Sequence, residues 1–371
     1  MQPVSWIEIS RDNLIHNINK IKNVLGNHQL GVVVKANAYG HGLGEVVTAV
    51  ENEVDYFQVD DFQELVGIRN YTQKPILVLG YMNLEESLIA TSQHDAILGV
   101  FESNHTKFSK LNTLGKELQK KIKVHVEVDA LLGRLGSTPE HAQQLISDLK
   151  QYEHIEVLAL YAHFSDIEDA GNLDHAHVQH HQLKNLAEHL GIPYHISATS
   201  GILSDQGNNW GGFMARLGIG LYGIWPSESL FVRWHKSIDF KPVLSWKTTV
   251  AQVKTLPKGY PIGYGRSYIT SEETTIAVIP QGYSDGYDRR FSNKGIVLIK
   301  GTGCPILGRI AMNMFVVDVS HLESVAEGDE VVLIGGQGNE TISAELLARI
   351  SGSINYEILA RISPLLNRKV V

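Results

Sequence analysis

The first two thirds of the chain alternate short apolar runs with amphipathic segments, and this alternation constrains the fold more than any other feature. Branched and aromatic runs of this length are typical of buried strands, and the segments between them have the spacing of helices. The apolar runs between residues 30 and 223 are Leu30–Val34, Tyr56–Val59, Ile76–Leu79, Ala96–Phe101, Val124–Val128, Val157–Tyr161, His195–Ala198 and Ala215–Tyr222.

Eight strand–helix units within about 200 residues predict an α/β fold, a (β/α)8 TIM-type barrel. Helices are predicted at Leu84–Gln93 and at Thr138–Tyr152. The second has Ser137 or Thr138 as its N-cap and Pro139 in its first turn. A doubly wound open sheet has the same alternation and remains the alternative, because sequence does not show whether the first and last strands pair.

A mainly β C-terminal domain is predicted to follow the barrel, because extended runs and turns replace the helices after about residue 235. We assign residues 1–235 to the barrel and residues 236–371 to this second domain. Trp6–Ile9 alternates like a strand and is expected to join the β domain. The other predicted strands are Val243–Val253, Thr275–Pro280, Ile296–Lys300 and Val331–Ile334, with one short helix near Ser343–Ile350.

Lys35 directly follows the first apolar run and is itself followed by small, aromatic and glycine residues. A lysine at the carboxyl end of a buried parallel strand is partly removed from water, which makes its amine available as a nucleophile. A lysine at the rim of a strand, with its amine in water, is the alternative for this residue taken alone.

Further reactive side chains follow the later predicted strands, and the carboxyl ends of barrel strands face the active site. We therefore expect one site that contains Lys35, Asp129, Arg134, His163, Ser200 and Arg216. Gly218–Gly223 matches G-x-G-x-x-G, but Pro226 follows where a dinucleotide site requires a helix. These glycines are instead expected to bring backbone amides to a single phosphate.

Composition argues against some classes of partner but does not name an activity. The formal net charge of −8 has no long runs of either sign, which argues against nucleic acid or an anionic membrane as the partner. The chain has no apolar stretch of about 18 residues and no signal-peptide pattern at residues 1–6, so a cytoplasmic protein is expected. The single cysteine, Cys304, excludes an intrachain disulfide.

His177 and His181 have helical ligand spacing, but no second cluster completes a metal site, and none is predicted.

Five segments in order resemble the alanine racemase family, which combines a barrel with a β domain and depends on pyridoxal 5'-phosphate. Val34–Gly42 is similar to its pyridoxal-phosphate lysine motif, and Arg216–Ile219 resembles the segment that meets the pyridine nitrogen and the phosphate. Gly263–Arg266 carries the matching second base, Gly282–Arg289 is similar to an active-site loop, and Ile354–Glu357 matches the C-terminal tyrosine motif.

The resemblance implies interconversion of L-alanine and D-alanine in a homodimer with shared active sites, which supplies D-alanine for peptidoglycan. Lys35 would form the Schiff base and exchange the α-proton of D-alanine, and Tyr264 of the partner subunit would exchange that of L-alanine. His163, next to Arg216, is our candidate for a cation that activates this tyrosine. Arg216 would leave the pyridine nitrogen unprotonated. The implied cofactor-binding residues are Lys35, Tyr39, Arg134, His163, Ser200, Arg216, Gly218, Ile219 and Tyr356, and the implied substrate-binding residues are Arg134 and Met312.

Two positions depart from the family pattern. Many members have a lysine, often carbamylated, where this chain has Glu127, and we expect that carboxylate to orient Arg134. Asn313 replaces a common aspartate, which bears on substrate preference.

The alternatives to an alanine racemase are a serine or broader amino-acid racemase, a non-catalytic pyridoxal-phosphate carrier of the same barrel type and a basic-amino-acid decarboxylase. The decarboxylase is expected to have a carboxylate where Arg216 stands.

Overall fold

The computed structural model describes residues 3–168, 171–205 and 210–371. The chain divides into two compact units, each built from separate stretches of sequence. The barrel unit consists of Asp12–Ala36 and Val47–Lys241, and the β unit of Met1–Arg11, Asn37–Val46 and Pro242–Val371.

The strands of the described residues begin with β1 (Trp6–Ile9), and eight parallel strands then form the barrel sheet. Its order is β8-β7-β6-β5-β4-β3-β2-β9. Backbone hydrogen bonds from Phe213 N to Tyr194 O (3.0 Å) and from Arg216 N to Ser197 O (2.9 Å) link the two edges. The sheet therefore nearly closes into the predicted barrel. The strands are β2 (Gln29–Val33), β3 (Tyr56–Val59), β4 (Ile76–Val78), β5 (Ile97–Val100), β6 (Ile122–Glu127), β7 (Ile155–Tyr161), β8 (Tyr194–His195) and β9 (Met214–Leu217).

Helices alternate with these strands, as the amphipathic spacing predicts. The predicted cap at Thr138 is present, and Asn83 forms a capping box with Glu86. The helices are α1 (Arg11–Leu25), α2 (Lys35–Tyr39), α3 (Leu43–Val50), α4 (Phe62–Arg69), α5 (Leu84–His94), α6 (His105–Glu117), α7 (Pro139–Leu149), α8 (Asp174–Leu190), α9 (Thr199–Ser204) and α10 (Glu228–Trp234).

The eighth predicted strand is wrong in its second half. The strand ends at Leu217, and Ile219–Tyr222 forms a 3-10 helix between two glycines. Gly218 has an unusual backbone conformation, and Gly223 is left-handed, so the chain turns sharply there. Apolar continuity misled the prediction, because buried 3-10 residues are as apolar as strand residues.

The β unit contains a large mixed sheet, and the predicted strand Trp6–Ile9 belongs to it. β1 pairs antiparallel with β10 and parallel with β20. Val243–Val253 is two strands rather than one. The strands are β10 (Leu244–Thr249), β11 (Gln252–Leu256), β12 (Pro261–Ile262), β13 (Tyr268–Ile269), β14 (Thr274–Ile279), β15 (Ile296–Ile299), β16 (Thr302–Leu307), β17 (Phe315–Asp318), β18 (Glu330–Gln337), β19 (Glu340–Ile342) and β20 (Asn367–Val370).

Two short α-helices complete the β unit. The predicted helix near Ser343 is α11 (Ala344–Ser351), and the Ser343 side chain accepts from Leu346 N as its N-cap. It is followed by α12 (Asn355–Ala360). Short 3-10 helices lie at Glu51–Glu53, Tyr264–Arg266, Tyr283–Asp285 and Arg289–Phe291. In the described ranges, no helix combines the length and the apolar composition needed to cross a bilayer.

Candidate active site

Lys35 lies at the carboxyl end of β2, as predicted, but its amine is paired. Lys35 Nζ donates to Asp60 Oδ1 at 2.9 Å, and the two side chains are 38% and 49% exposed. The expected desolvation of the lysine is thus only partial. Sequence reasoning did not identify Asp60, because the carboxylate lies 25 residues away in the chain.

The backbone after Lys35 makes a left-handed turn. Ala36, Asn37, Ala38 and Tyr39 all have φ between 52° and 54°. This conformation costs about 1–2 kcal/mol for each residue with a side chain. The turn is held in place by two bonds to Asn37, from Gly42 N to its carbonyl and from Leu43 N to its side chain (each 2.9 Å). Strain of this kind concentrates at functional sites, which agrees with the position of the turn beside Lys35.

Arg216 is fully buried in the barrel and bonded mainly to backbone. One guanidinium nitrogen donates to the carbonyls of Ala162 (2.7 Å) and Ile196 (2.9 Å). The other donates to His195 Nδ1 at 2.5 Å. Burial lowers the pKa of Arg216 to about 10, so the group stays charged at neutral pH. The carbonyls therefore fix the direction of a cation that can only donate.

A histidine pair continues from Arg216 into the barrel interior. Because His195 Nδ1 accepts from the guanidinium, its proton is on Nε2, which lies 3.0 Å from His125 Nδ1. Burial lowers the pKa of His125 to about 3 and that of His195 well below its usual value. Both rings are therefore neutral at pH 7, so neither places a second positive charge beside the buried Arg216.

His163 is next to Arg216, as expected, but it does not supply a positive charge. Burial, and then the charges of Arg216, Arg134 and Lys35, lower the pKa of His163 well below its usual value. Its Nδ1 lies 3.4 Å from Arg216 Nη2, which also donates to two backbone carbonyls. The lowered pKa favours the neutral imidazole, so the guanidinium carries the positive charge of this pair.

Glu127 is buried beneath the site, where opposing effects act on its carboxyl group. The Tyr161 hydroxyl lies 3.1 Å from the carbonyl of Leu79 and donates to Glu127 Oε2 at 3.0 Å. Burial has the largest effect and raises the pKa of Glu127, whereas the Tyr161 bond and the charges of Arg134 and Arg216 lower it.

Glu127 is also too far from Arg134 to orient it by a hydrogen bond. Its Oε1 lies 3.9 Å from Arg134 Nη2, and the arginine side chain is 57% exposed. Asp129, which follows the same strand, accepts instead from the backbone amides of Leu132 (2.8 Å) and Gly133 (2.9 Å). The structure thus uses Asp129 to shape the loop that carries Arg134.

The candidate phosphate region combines Ser200 with the backbone after β9. The Ser200 hydroxyl lies 3.5 Å from Glu168 Oε1, whose carboxyl pKa is raised by burial. The amides of Gly218 and Gly220 each donate to Thr199 Oγ1 at 3.2 Å. A phosphate there would exchange with or share these bonds. Thr199 and Glu168 had no signal in the sequence beyond their closeness to predicted residues.

The predicted residues of the β unit differ in exposure. Tyr264 is 73% exposed at the start of a 3-10 turn, and the Met312 side chain is 55% exposed. Tyr356, at the start of α12, has its ring 6.2 Å from that of Tyr39. Asn313 donates to Ser284 Oγ at 2.9 Å. The fold thus brings Tyr39 and Tyr356 together within one unit.

The histidines considered as metal ligands pack against aromatic rings. The His177 ring lies 5.1 Å from that of Trp210, and His180 Nε2 lies 2.9 Å from the Tyr194 hydroxyl. Over residues 3–168, 171–205 and 210–371, no group of three or more His, Cys, Asp or Glu side chains is arranged to hold a metal ion.

Comparison with known proteins identifies the family. The alanine racemase N-terminal domain matches residues 9–226, and the alanine racemase C-terminal domain matches residues 243–370. Alanine racemase 2 of Caldanaerobacter subterraneus is 34% identical over 352 residues, covering 92% of this chain and 88% of that protein. An alanine racemase structure from Clostridium difficile 630 has a TM-score of 0.91 and 33% identity, covering 100% of this chain and 96% of that one.

A third relative has its cofactor in place. The alanine racemase of Bartonella henselae, solved with covalently bound pyridoxal phosphate, has a TM-score of 0.87 at 26% identity and covers 100% of both chains. Since both family domains match in order and the similarity spans nearly the whole length, the chain belongs to the alanine racemase family and is an isomerase.

Proposed function

We propose that this chain interconverts L-alanine and D-alanine with pyridoxal 5'-phosphate bound through Lys35. The observation that carries the proposal is the position of Lys35, His163 and Arg216 at the carboxyl ends of strands of one barrel, in a chain that matches both alanine racemase domains. The same resemblance supports a cytoplasmic enzyme whose D-alanine enters peptidoglycan.

The donor groups of the barrel unit fit the cofactor. Lys35 offers a primary amine to an aldehyde, and Ser200 with the amides of Gly218 and Ile219 offers donors to a phosphate. Glu168 lies beside Ser200, and burial raises the pKa of its carboxyl group. When bound, pyridoxal phosphate draws electron density from the substrate's α-carbon and so acidifies its α-proton. By resemblance, Tyr39 and Tyr356 complete the phosphate site.

Arg216 would restrain the reaction to racemisation. Its guanidinium is fixed by backbone carbonyls and remains charged, so it would offer only a hydrogen-bond donor to the pyridine nitrogen of the cofactor. A ring nitrogen that receives a hydrogen bond but no proton is a weaker electron sink than a pyridinium. Reprotonation of the α-carbon is then favoured over transamination.

Two proton-exchange groups on opposite faces are needed to invert the α-carbon. We assign Lys35 to the proton of D-alanine and Tyr264 of the partner subunit to that of L-alanine. An unperturbed tyrosine has a pKa of about 10, so a cation must favour its ionised form. With His163 neutral, the charge of Arg216, acting through His163, is the remaining candidate.

Substrate selection is assigned to two groups. The exposed guanidinium of Arg134 would bind the substrate carboxylate, together with the backbone amide of the partner's Met312. Tyr356 would limit the size of the substrate side chain, which favours alanine. Serine is larger by one oxygen and is the substrate to compare first, since one small group changes discrimination only modestly.

Chiral analysis of alanine after incubation in deuterated water tests the reaction. The cofactor-loaded enzyme should convert L-alanine to D-alanine that is deuterated at the α-carbon. Tyr264→Phe should abolish racemisation while exchange of the D-alanine α-proton continues, and Tyr260→Phe, at another exposed tyrosine, should behave as wild type. Racemisation by Tyr264→Phe at the wild-type rate would exclude this tyrosine as the second base.

Mixing two inactive variants tests the shared active site. A hybrid dimer of Lys35→Ala and Tyr264→Phe chains contains one site with both residues intact if the tyrosine comes from the partner. With free subunit exchange, an equal mixture should recover about a quarter of wild-type activity. Recovery of none, with hybrids demonstrated by mass, would mean that each chain supplies its own tyrosine.

A further inference from the structure

We propose that Asp60 is the counter-ion of Lys35 and controls when the lysine amine can react. The contact between Lys35 Nζ and Asp60 Oδ1 is a charge-assisted hydrogen bond of 2.9 Å. The bond holds the amine against the carboxylate, and it must break before the nitrogen can reach another group. Only the neutral amine has the lone pair that attacks an aldehyde, so the pair reduces the nucleophilicity of Lys35.

The barrel register builds this pair into the fold. β2 and β3 are parallel neighbours in which Val33 lies opposite Gln58. Lys35 and Asp60 each follow two residues later, so the two side chains leave the same end of adjacent strands. The contact therefore follows from the backbone as well as from side-chain rotation.

Glu64 fixes the backbone on both sides of the pair. One of its carboxylate oxygens accepts from Ala36 N at 2.6 Å, and the other accepts from Asp60 N at 2.7 Å. A single carboxylate, on the partly buried Glu64, thus connects the residue after Lys35 to Asp60 itself. On the other side, Gly80 N donates to Asp60 O at 2.8 Å.

Gly80 also leaves the space that Asp60 occupies. A Cβ at this position would lie 2.4 Å from the Asp60 carbonyl oxygen and 3.0 Å from its Oδ2. Only a residue without a side chain allows this approach. Glu64 and Gly80 therefore fix the backbone of Asp60 and leave room for its carboxylate next to the Lys35 amine.

The consequence for the cofactor rests on the proposed function. Bonding of Lys35 to the aldehyde requires loss of one ammonium proton, attack of the nitrogen on the aldehyde carbon and departure of the oxygen as water. Asp60 opposes these steps, because its hydrogen bond to the amine must break first. Because both side chains are partly exposed, water weakens the pair, and the effect on reactivity is expected to be roughly twofold to fivefold.

Reductive methylation of the full-length, cofactor-free protein tests the pair without the cofactor. Formaldehyde and cyanoborohydride label neutral amines, and mass spectrometry gives the rate at each lysine. Asp60→Asn should raise the rate at Lys35 roughly twofold to fivefold relative to the other lysines. Asp61→Asn is the matched control, because Asp61 caps α4 through Glu64 N and asparagine keeps that cap.

An unchanged or lower rate at Lys35 in Asp60→Asn, with the circular dichroism spectrum of the wild type, would overturn the proposal. Asp60→Ser provides a second folded variant if the asparagine variant does not fold, and the same increase is expected from it. A similar increase at every lysine would indicate general loosening of the protein and would also contradict the proposal.

Attachment of pyridoxal 5'-phosphate separates this inference from the proposed function. After borohydride reduction, the label should be on Lys35, and it should appear faster in Asp60→Asn than in Asp61→Asn or wild type. Equal attachment rates at Lys35 would refute control by Asp60 and leave the proposed function intact. Faster methylation of Lys35 with cofactor attached only to other lysines would support the pair and refute the proposed role of Lys35.

Discussion

Thr199→Val should destabilise the barrel, because one hydroxyl serves two buried amides. Thr199 Oγ1 accepts from Gly218 N and Gly220 N, each at 3.2 Å, and all three residues are buried. Valine has nearly the same shape but no acceptor. Leaving a buried donor unsatisfied costs about 1–3 kcal/mol, and for two long bonds we expect a total of about 2–4 kcal/mol.

Thr199→Ser is the matched control, because it keeps the oxygen and removes only the methyl group. That methyl packs against Gly220, where a Cβ would lie 2.7 Å from Thr199 Cγ2. Loss of one buried methyl should cost about 0.5–1.5 kcal/mol. Urea unfolding of the cofactor-free protein measures both free energies, and hydrogen exchange of the segment after β9 should be faster in the valine variant. A valine variant as stable as the serine variant would show that these two hydrogen bonds do not contribute the expected free energy.

Three further predictions concern titratable side chains. The pKa of His125 is about 3 in the folded protein and about 6.5 in the unfolded chain, so its contribution to stability is complete above pH 6.5 and falls as the pH drops. His125→Phe should therefore flatten the decline, from pH 7 to 5, of the free energy of unfolding measured in urea. An unchanged slope would contradict this. Hydrogen bonds from Arg290 lower the pKa of Asp288, so Asp288→Asn should be less stable than wild type at pH 7. The difference should shrink below about pH 4, because the wild-type carboxylate then protonates. A difference in the free energy of unfolding in urea that does not change with pH would argue against the ion pair. Glu127→Gln keeps an oxygen that accepts from the Tyr161 hydroxyl, and no hydrogen bond joins Glu127 to Arg134. Its KM should therefore stay within about twofold of wild type, whereas a large rise would show that the charge of Glu127 orients Arg134.

The local pattern of residues predicted the strands and helices, but the near closure of the barrel sheet is seen only in the structure. Apolar runs separated by helical spacing predict the eight barrel strands because each strand must be covered on both faces, and Thr138 with Pro139 indicates a helix start through backbone chemistry alone. At Ile219–Tyr222 the same pattern predicted the wrong element. A buried 3-10 turn and a buried strand both require apolar side chains, so hydropathy does not distinguish them.

The chemistry of the site divides in the same way. The spacing of residues along the chain predicts the eight strands and the side chains that follow their carboxyl ends, but it does not distinguish a closed barrel from an open sheet. The structure adds the near closure of the sheet, the pairing of Lys35 with Asp60, the lowered pKa of His163 and the raised pKa of Glu127. Protonation and pairing depend on burial and on distances between residues remote in sequence, and these distances exist only once the barrel has formed.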